Sequence, residues 1–135
     1  MSTVLVDTSA WSRFYRSDIP ETDPYVSAVQ HEIAARGVVT TGVVYLELLR
    51  GFTQSGTKEE IHRQFDSVPF IEPRRADYAG AAELGTRCRR AGVQLGAVDA
   101  LIAQVCIAND LTLLTADGDF VHAARHVPLK LWAPT

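Results

Sequence analysis

Short apolar runs alternate along the chain with stretches whose apolar residues recur at helical spacing. Residues 3–6 (TVLV) read as a buried strand, and Thr8 or Ser9 then serves as the cap of a helix carrying Trp11, Phe14 and Tyr15. Ser17 to Pro24 is a polar, proline-bounded loop. From Tyr25 to Arg36, Val26, Val29 and Ile33 share one helical face, and Gly37 reads as the stop. Val38–Thr41 is a second strand, followed by a short helix over Val43–Gly51. Thr57 and Glu60 have capping-box spacing ahead of a helix that aligns Ile61, Phe65 and Val68. Val68–Glu72 reads as an extended connector or a short strand ending at Pro73, and residues 75–91 as a helix closed by Gly92.

The helix over Ala97–Asn109 carries an apolar stripe of Val98, Leu101, Ile102, Val105 and Cys106. Leu111–Thr115 is a third strand, followed by a turn at Ala116–Asp119, a short helix and a last strand at Leu129–Trp132. Strands separated by helices imply parallel pairing. The expected fold is therefore α/β, a three-layer α/β/α sandwich around a central, mainly parallel sheet, with residues 1–135 forming a single domain.

Four acids interrupt this pattern. Asp7 follows VLV, Glu47 sits in VVYLELL, Asp99 in LGAVDALIAQV, and Asp117 just after LTLLTA. A carboxylate in an apolar segment costs several kcal/mol, order of magnitude, unless it is neutralised or paired. No lysine lies inside these segments, which makes a bound cation the natural partner. In an open parallel sheet ligands bind beyond the carboxyl ends of the strands, and Asp7 and Asp117 fall at such ends. Asp99 lies in a first helical turn, and Glu47 in the helix after the second strand.

Plainer readings exist for each acid. Asp7 could cap the next helix, Asp99 could answer a helix dipole, and Asp117 and Asp119 could be turn formers. Glu83, in GAAELG, is a control that an exposed helix face explains. Four such acids at one sheet edge point instead to a site. Carboxylates without histidine or cysteine suit a hard ion, Mg²⁺ or alternatively Mn²⁺, and that donor set suits attack of water on a phosphodiester.

Composition narrows the class. With 135 residues and a net charge of −3 the chain is one globular domain with no global attraction for nucleic acid. Eleven arginines accompany only two lysines. Arg13 and Arg16 beside Asp7, Arg50 beside Glu47, and the cluster Arg87, Arg89 and Arg90 are the candidate phosphate contacts, with a solvated helix face the plainer reading of the cluster. No apolar run is long enough to span a membrane and the N-terminus lacks a signal layout, so a soluble, cytoplasmic protein is expected. Cys88 and Cys106 read as buried thiols, His122 and His126 as surface histidines, and Trp11, Phe14 and Tyr15 as packing groups.

The segments VDTSAW, VVYLELLRG and VDALIAQVCIANDLTLLTADGDF, in that order, resemble the PIN-domain family, specifically VapC-type toxins of bacterial toxin–antitoxin pairs. The resemblance spans nearly the whole chain. It implies that Asp7, Glu47, Asp99 and Asp117 are the family's acidic quartet, with Asp7 and Asp99 as metal ligands. It also implies that Asp119 supports a second ion or positions water, and that Thr8 and Thr115 are hydroxyls near the pocket. The implied activity is a Mg²⁺-dependent endoribonuclease acting on tRNA or ribosomal RNA. The implied assembly is a homodimer held in check by a small antitoxin. The alternatives are a metal-dependent DNA nuclease or other phosphate hydrolase, and a non-catalytic PIN-like binding module. A haloacid-dehalogenase-type phosphatase would need an acid where Ser9 stands. On this reading Asp7→Asn or Asp99→Asn abolishes cleavage, keeps the fold and slightly stabilises the metal-free protein.

Overall fold

A computed structural model describes residues 3–134 of the chain. The first strand, β1 (Val4–Val6), is fully buried, as an uninterrupted apolar run in a parallel sheet requires. It leads into α1 (Thr8–Tyr15), α2 (Pro24–Ala34) and β2 (Val38–Val39). Three helices follow, α3 (Gly42–Arg50), α4 (Ser55–Asp66) and α5 (Arg75–Arg90). The chain closes with α6 (Ala97–Ala108), β3 (Thr112–Leu114), α7 (Gly118–Ala123) and β4 (Lys130–Leu131).

All four strands are parallel, in the order β2-β1-β3-β4. The chain leaves β1 towards β2 on one side and later returns past β1 to β3 and β4 on the other. Right-handed crossovers then place α1 and α2 on one face and α6 and α7 on the opposite face, giving the expected α/β/α layers. Reversal of direction between β1 and β3 creates a switch point, the place where open α/β sheets form a crevice at the carboxyl edge. Asp7 follows β1 at this point, and Thr115, Ala116 and Asp117 follow β3.

The core beneath the crevice is apolar, with Leu5, Val6, Trp11, Leu48, Ile102, Leu113 and Leu114 all fully enclosed. Trp11 packs with Phe14, Tyr15 and Phe65, so this aromatic group serves the core, as expected.

Several local expectations are corrected. The first residue before α1 is Asp7, and Thr8 and Ser9 lie inside the helix rather than capping it. Thr57 and Glu60 form no capping box; α4 already begins at Ser55 after Gln54. At the end of α2 the left-handed residue is Arg36, with φ 57, and Gly37 donates back to the Glu32 carbonyl. Gly92, at φ 85, does end α5 as anticipated. Val98 is 37% exposed and lies outside the buried stripe of α6. Val68–Glu72 is an extended connector with one bridge, Thr40 to Phe70.

Candidate active site

Asp7 is 5% exposed and occupies the position before α1, yet its side chain makes no capping bond to that helix. Its carbonyl oxygen instead accepts the Ala10 and Trp11 amides, and its amide donates to the Leu114 carbonyl at 2.9 Å, continuing the β1–β3 register. The carboxylate is thus free to face the crevice. Its Oδ2 accepts from the Ser9 hydroxyl and from the Thr115 hydroxyl, each at 2.8 Å. A hydroxyl carries one proton, so both donors are committed to Asp7, and the 3.1 Å approach of Ser9 to Thr115 is proximity only. Two donors on one oxygen fix the carboxylate's rotation and direct Oδ1 away from them.

The same hydroxyls tie in the third strand's exit. Ser9 Oγ accepts the Ala116 amide at 2.9 Å, and Thr115 Oγ1 accepts the Asp117 amide at 3.0 Å. Asp117 precedes α7, and its Oδ1 accepts the Asp119 amide at 2.9 Å, so the turn-forming reading is realised there while the residue still borders the crevice. Glu47, one turn and a half into α3, accepts the Thr8 hydroxyl on Oε1 at 2.9 Å, which brings α3 to the start of α1. Asp99 is half-buried in the first turn of α6.

Asp99 reports how the acids stand towards one another. Its pKa is pushed up to about 6, first by burial and then by the negative charges of Asp7, Asp117, Glu47 and Asp119. All five predicted acids therefore share one electrostatic field, with exposed Asp119 the weakest contributor. Asp7 also reaches Cys106, whose thiol is pushed up to about 12 by burial and then by that charge. Both cysteines are free and buried, and such thiols are inert.

None of the five acids forms an ion pair among the described residues, where the bridges are Arg13–Asp23, Arg16–Asp18, Arg74–Asp77 and Lys130–Asp110. Nor do three or more described His, Cys, Asp or Glu side chains close into a ready-made metal cage. Uncompensated carboxylates repel, and Mg²⁺ takes one or two protein carboxylates while keeping its waters. An all-oxygen donor set with Asp7 oriented and Asp99 raised fits such an ion.

Two groups, one half-buried and one buried, escaped sequence reasoning. Ser9 is the partner of Asp7, and only its place after a strand-end Asp hints at this. Asp77, 3% exposed, is more buried than Asp7 but is spent on structure, accepting the Arg74 amide at 2.8 Å at the start of α5. Arg13 grips Asp23 and Arg16 grips Asp18 with two bonds each, ion pairs that the sequence reading did not foresee. Glu83, His122 and His126 are on the surface as expected.

Residues 4–126 match the PIN domain family. The chain is 29% identical over 129 residues to VapC ribonuclease Mb1587 of Mycobacterium bovis, covering 94% of this chain and 96% of that protein. The same figures hold for ribonuclease VapC11 of Mycobacterium tuberculosis. Among solved structures it resembles FitAcB from Neisseria gonorrhoeae, with a TM-score of 0.76, 20% identity and 98% of each chain covered. It also resembles VapBC2 from Rickettsia felis bound to a DNA fragment from its promoter, with a TM-score of 0.72, 22% identity, and 97% and 99% of the two chains covered. Family match, parallel-sheet topology and the acids gathered at its switch point agree: the chain belongs to the PIN domain family.

Proposed function

We propose that this protein is the endoribonuclease toxin of a toxin–antitoxin pair, hydrolysing phosphodiester bonds of tRNA or ribosomal RNA with Mg²⁺, or Mn²⁺ in its place. The observation that carries the reading is the state of Asp7 and Asp99. One carboxylate is held in a single orientation by Ser9 and Thr115, and the other is raised to about 6 by burial and by four acids. Asp7 and Asp99 are the ion's main ligands, with Glu47 and Asp117 completing the pocket and Asp119 at its rim. When bound, a divalent ion supplies charge neutralisation and activation of water for attack on phosphorus.

The chain's own residues do the rest. Ser9 and Thr115 keep Asp7 Oδ1 presented to the crevice, and Thr8 keeps Glu47 against α1. Leu114, fully buried at the end of β3, accepts the Asp7 amide on its carbonyl, so the backbone of Asp7 is anchored to the apolar core.

A small antitoxin is the proposed regulator, supported by the curated relatives named VapC and the solved VapBC complexes. A homodimer is also proposed. Tyr78 and Val98 are 57% and 37% exposed along the groove between α5 and α6, an apolar strip suited to a second copy. No helix among the described residues is long and apolar enough to cross a membrane. Incubation of the purified protein with total RNA, with Mg²⁺ or with chelator, tests the reading: metal-dependent cuts at defined positions support it, and intact RNA in both arms refutes it.

A further inference from the structure

The acid crevice of a chain with net charge −3 repels a polyanion, so RNA needs a cationic hold close by. Of the arginines flanking the site, Arg13 and Arg16 are paired with Asp23 and Asp18, and Arg50 is exposed and unpaired among the described residues but stands alone. The α5 cluster divides instead of forming one solvated face. Arg89 lies on the groove that holds Val98, whereas Arg87 and Arg90 line a separate pocket of about 320 Å³ with Gln104 of α6. Neither Arg87 nor Arg90 has an ion-pair partner among the described residues.

The pocket is built by the crossing of α5 and α6. A Cβ added to Gly80 would come within 2.6 Å of the Gln104 amide nitrogen, so the missing side chain is what lets that amide lie against α5. The same two helices touch at Gly85 and Ala100, the residue after Asp99. Arg87 therefore stands level with the first turn of α6 and leans back towards Gln104 as helical side chains do, and the pocket runs on from there to Ile107, Val127 and Pro128 at the end of α6 away from Asp99. Two guanidiniums and an amide offer planar, forked donors to a phosphate. Glu83 shares the wall and leaves the pocket a net charge of +1.

We infer that the pocket of Arg87, Arg90 and Gln104 is a phosphate subsite that grips the RNA backbone beyond the bond being cut. This rests on the ribonuclease reading and names where its substrate is held. The test measures binding of a fluorescein-labelled mixed-sequence single-stranded RNA by anisotropy in chelator, from low to moderate salt, and cleavage of the same RNA in Mg²⁺. Arg87→Gln/Arg90→Gln is expected to weaken binding on the order of tenfold. It should also flatten the slope of log Kd against log salt by about 1.4, the value for two single-strand phosphate contacts. KM should rise with kcat nearly unchanged, and Glu83→Gln should tighten binding.

The control Arg36→Gln/Arg63→Gln removes the same charge from exposed positions away from the pocket walls. Equal weakening in the control, an unchanged Kd and slope in the pocket variant, or weaker binding by Glu83→Gln would each overturn the subsite while leaving the ribonuclease reading intact if the wild type still cuts. A wild type that neither binds nor cuts RNA overturns both.

Discussion

Asp99→Asn removes a charge that the fold holds at a cost. The Asp99 pKa rises from 3.8 to about 6, and each unit corresponds to about 1.4 kcal/mol of differential interaction. The full shift would amount to about 3 kcal/mol. Asp99 is only half-buried, so solvent screening reduces the expected effect to about 1–2 kcal/mol. In a domain of this size that is a rise in Tm of about 4–7 °C for the metal-free variant at neutral pH. The sign follows from proton counting: between 3.8 and about 6 the folded protein binds more protons than the unfolded chain, so wild-type stability falls as pH rises through this window. The variant's advantage should be full above pH 7 and shrink steadily towards pH 4. Thermal melts of both proteins in chelator across that range measure it. A variant that melts at or below the wild type at neutral pH, or a gap that does not close on acidification, would refute the reasoning. Mg²⁺ or Mn²⁺ should raise the wild-type Tm and leave the variant's nearly unchanged.

Other consequences concern the hydroxyls around the crevice. Thr115→Val removes a donor to a buried carboxylate and should cost about 1.5–3 kcal/mol in urea unfolding, with RNA cleavage falling because Asp7 loses its fixed rotation. Ser9→Ala should act in the same direction, and the pair should be non-additive, since both hydroxyls serve one oxygen. Thr41, fully buried before α3, has a hydroxyl with no partner among the described residues. Thr41→Val should therefore stabilise the fold by about 1 kcal/mol, read from the urea midpoint; a loss of stability would show that the hydroxyl is satisfied in solution.

Much of this was legible in the chain. Short apolar runs located the strands and period-3.6 patterns the helices, because a parallel sheet needs runs such as VLV and LTLL to be buried on both faces. The acids stood out for the same reason, as charges in segments otherwise shaped for burial. Capping chemistry was less readable. Thr8 and Ser9 have the residue types of helix caps, yet the Thr8 hydroxyl turns to Glu47 and that of Ser9 joins Asp7 to the Ala116 amide, long-range contacts that local spacing does not encode. Asp77 shows the converse, a carboxylate buried deeply for purely local capping. The Arg13–Asp23 ion pair was not readable, because it joins residues whose proximity depends on how α1 meets the start of α2. The joint expectation for Asp7 and Asp99 is also refined: Asp7 is engaged by two hydroxyl bonds, and the raised pKa belongs to Asp99, so the stabilisation argument is made for Asp99.

The central claim is that these carboxylates cut RNA by holding a divalent ion. Its most direct measurement compares wild type and Asp99→Asn on purified tRNA and ribosomal RNA, in Mg²⁺ and in chelator. Cleavage at defined positions by the wild type in Mg²⁺ alone is the predicted result. Cleavage that persists in chelator, or that Asp99→Asn carries out at the wild-type rate, would contradict it.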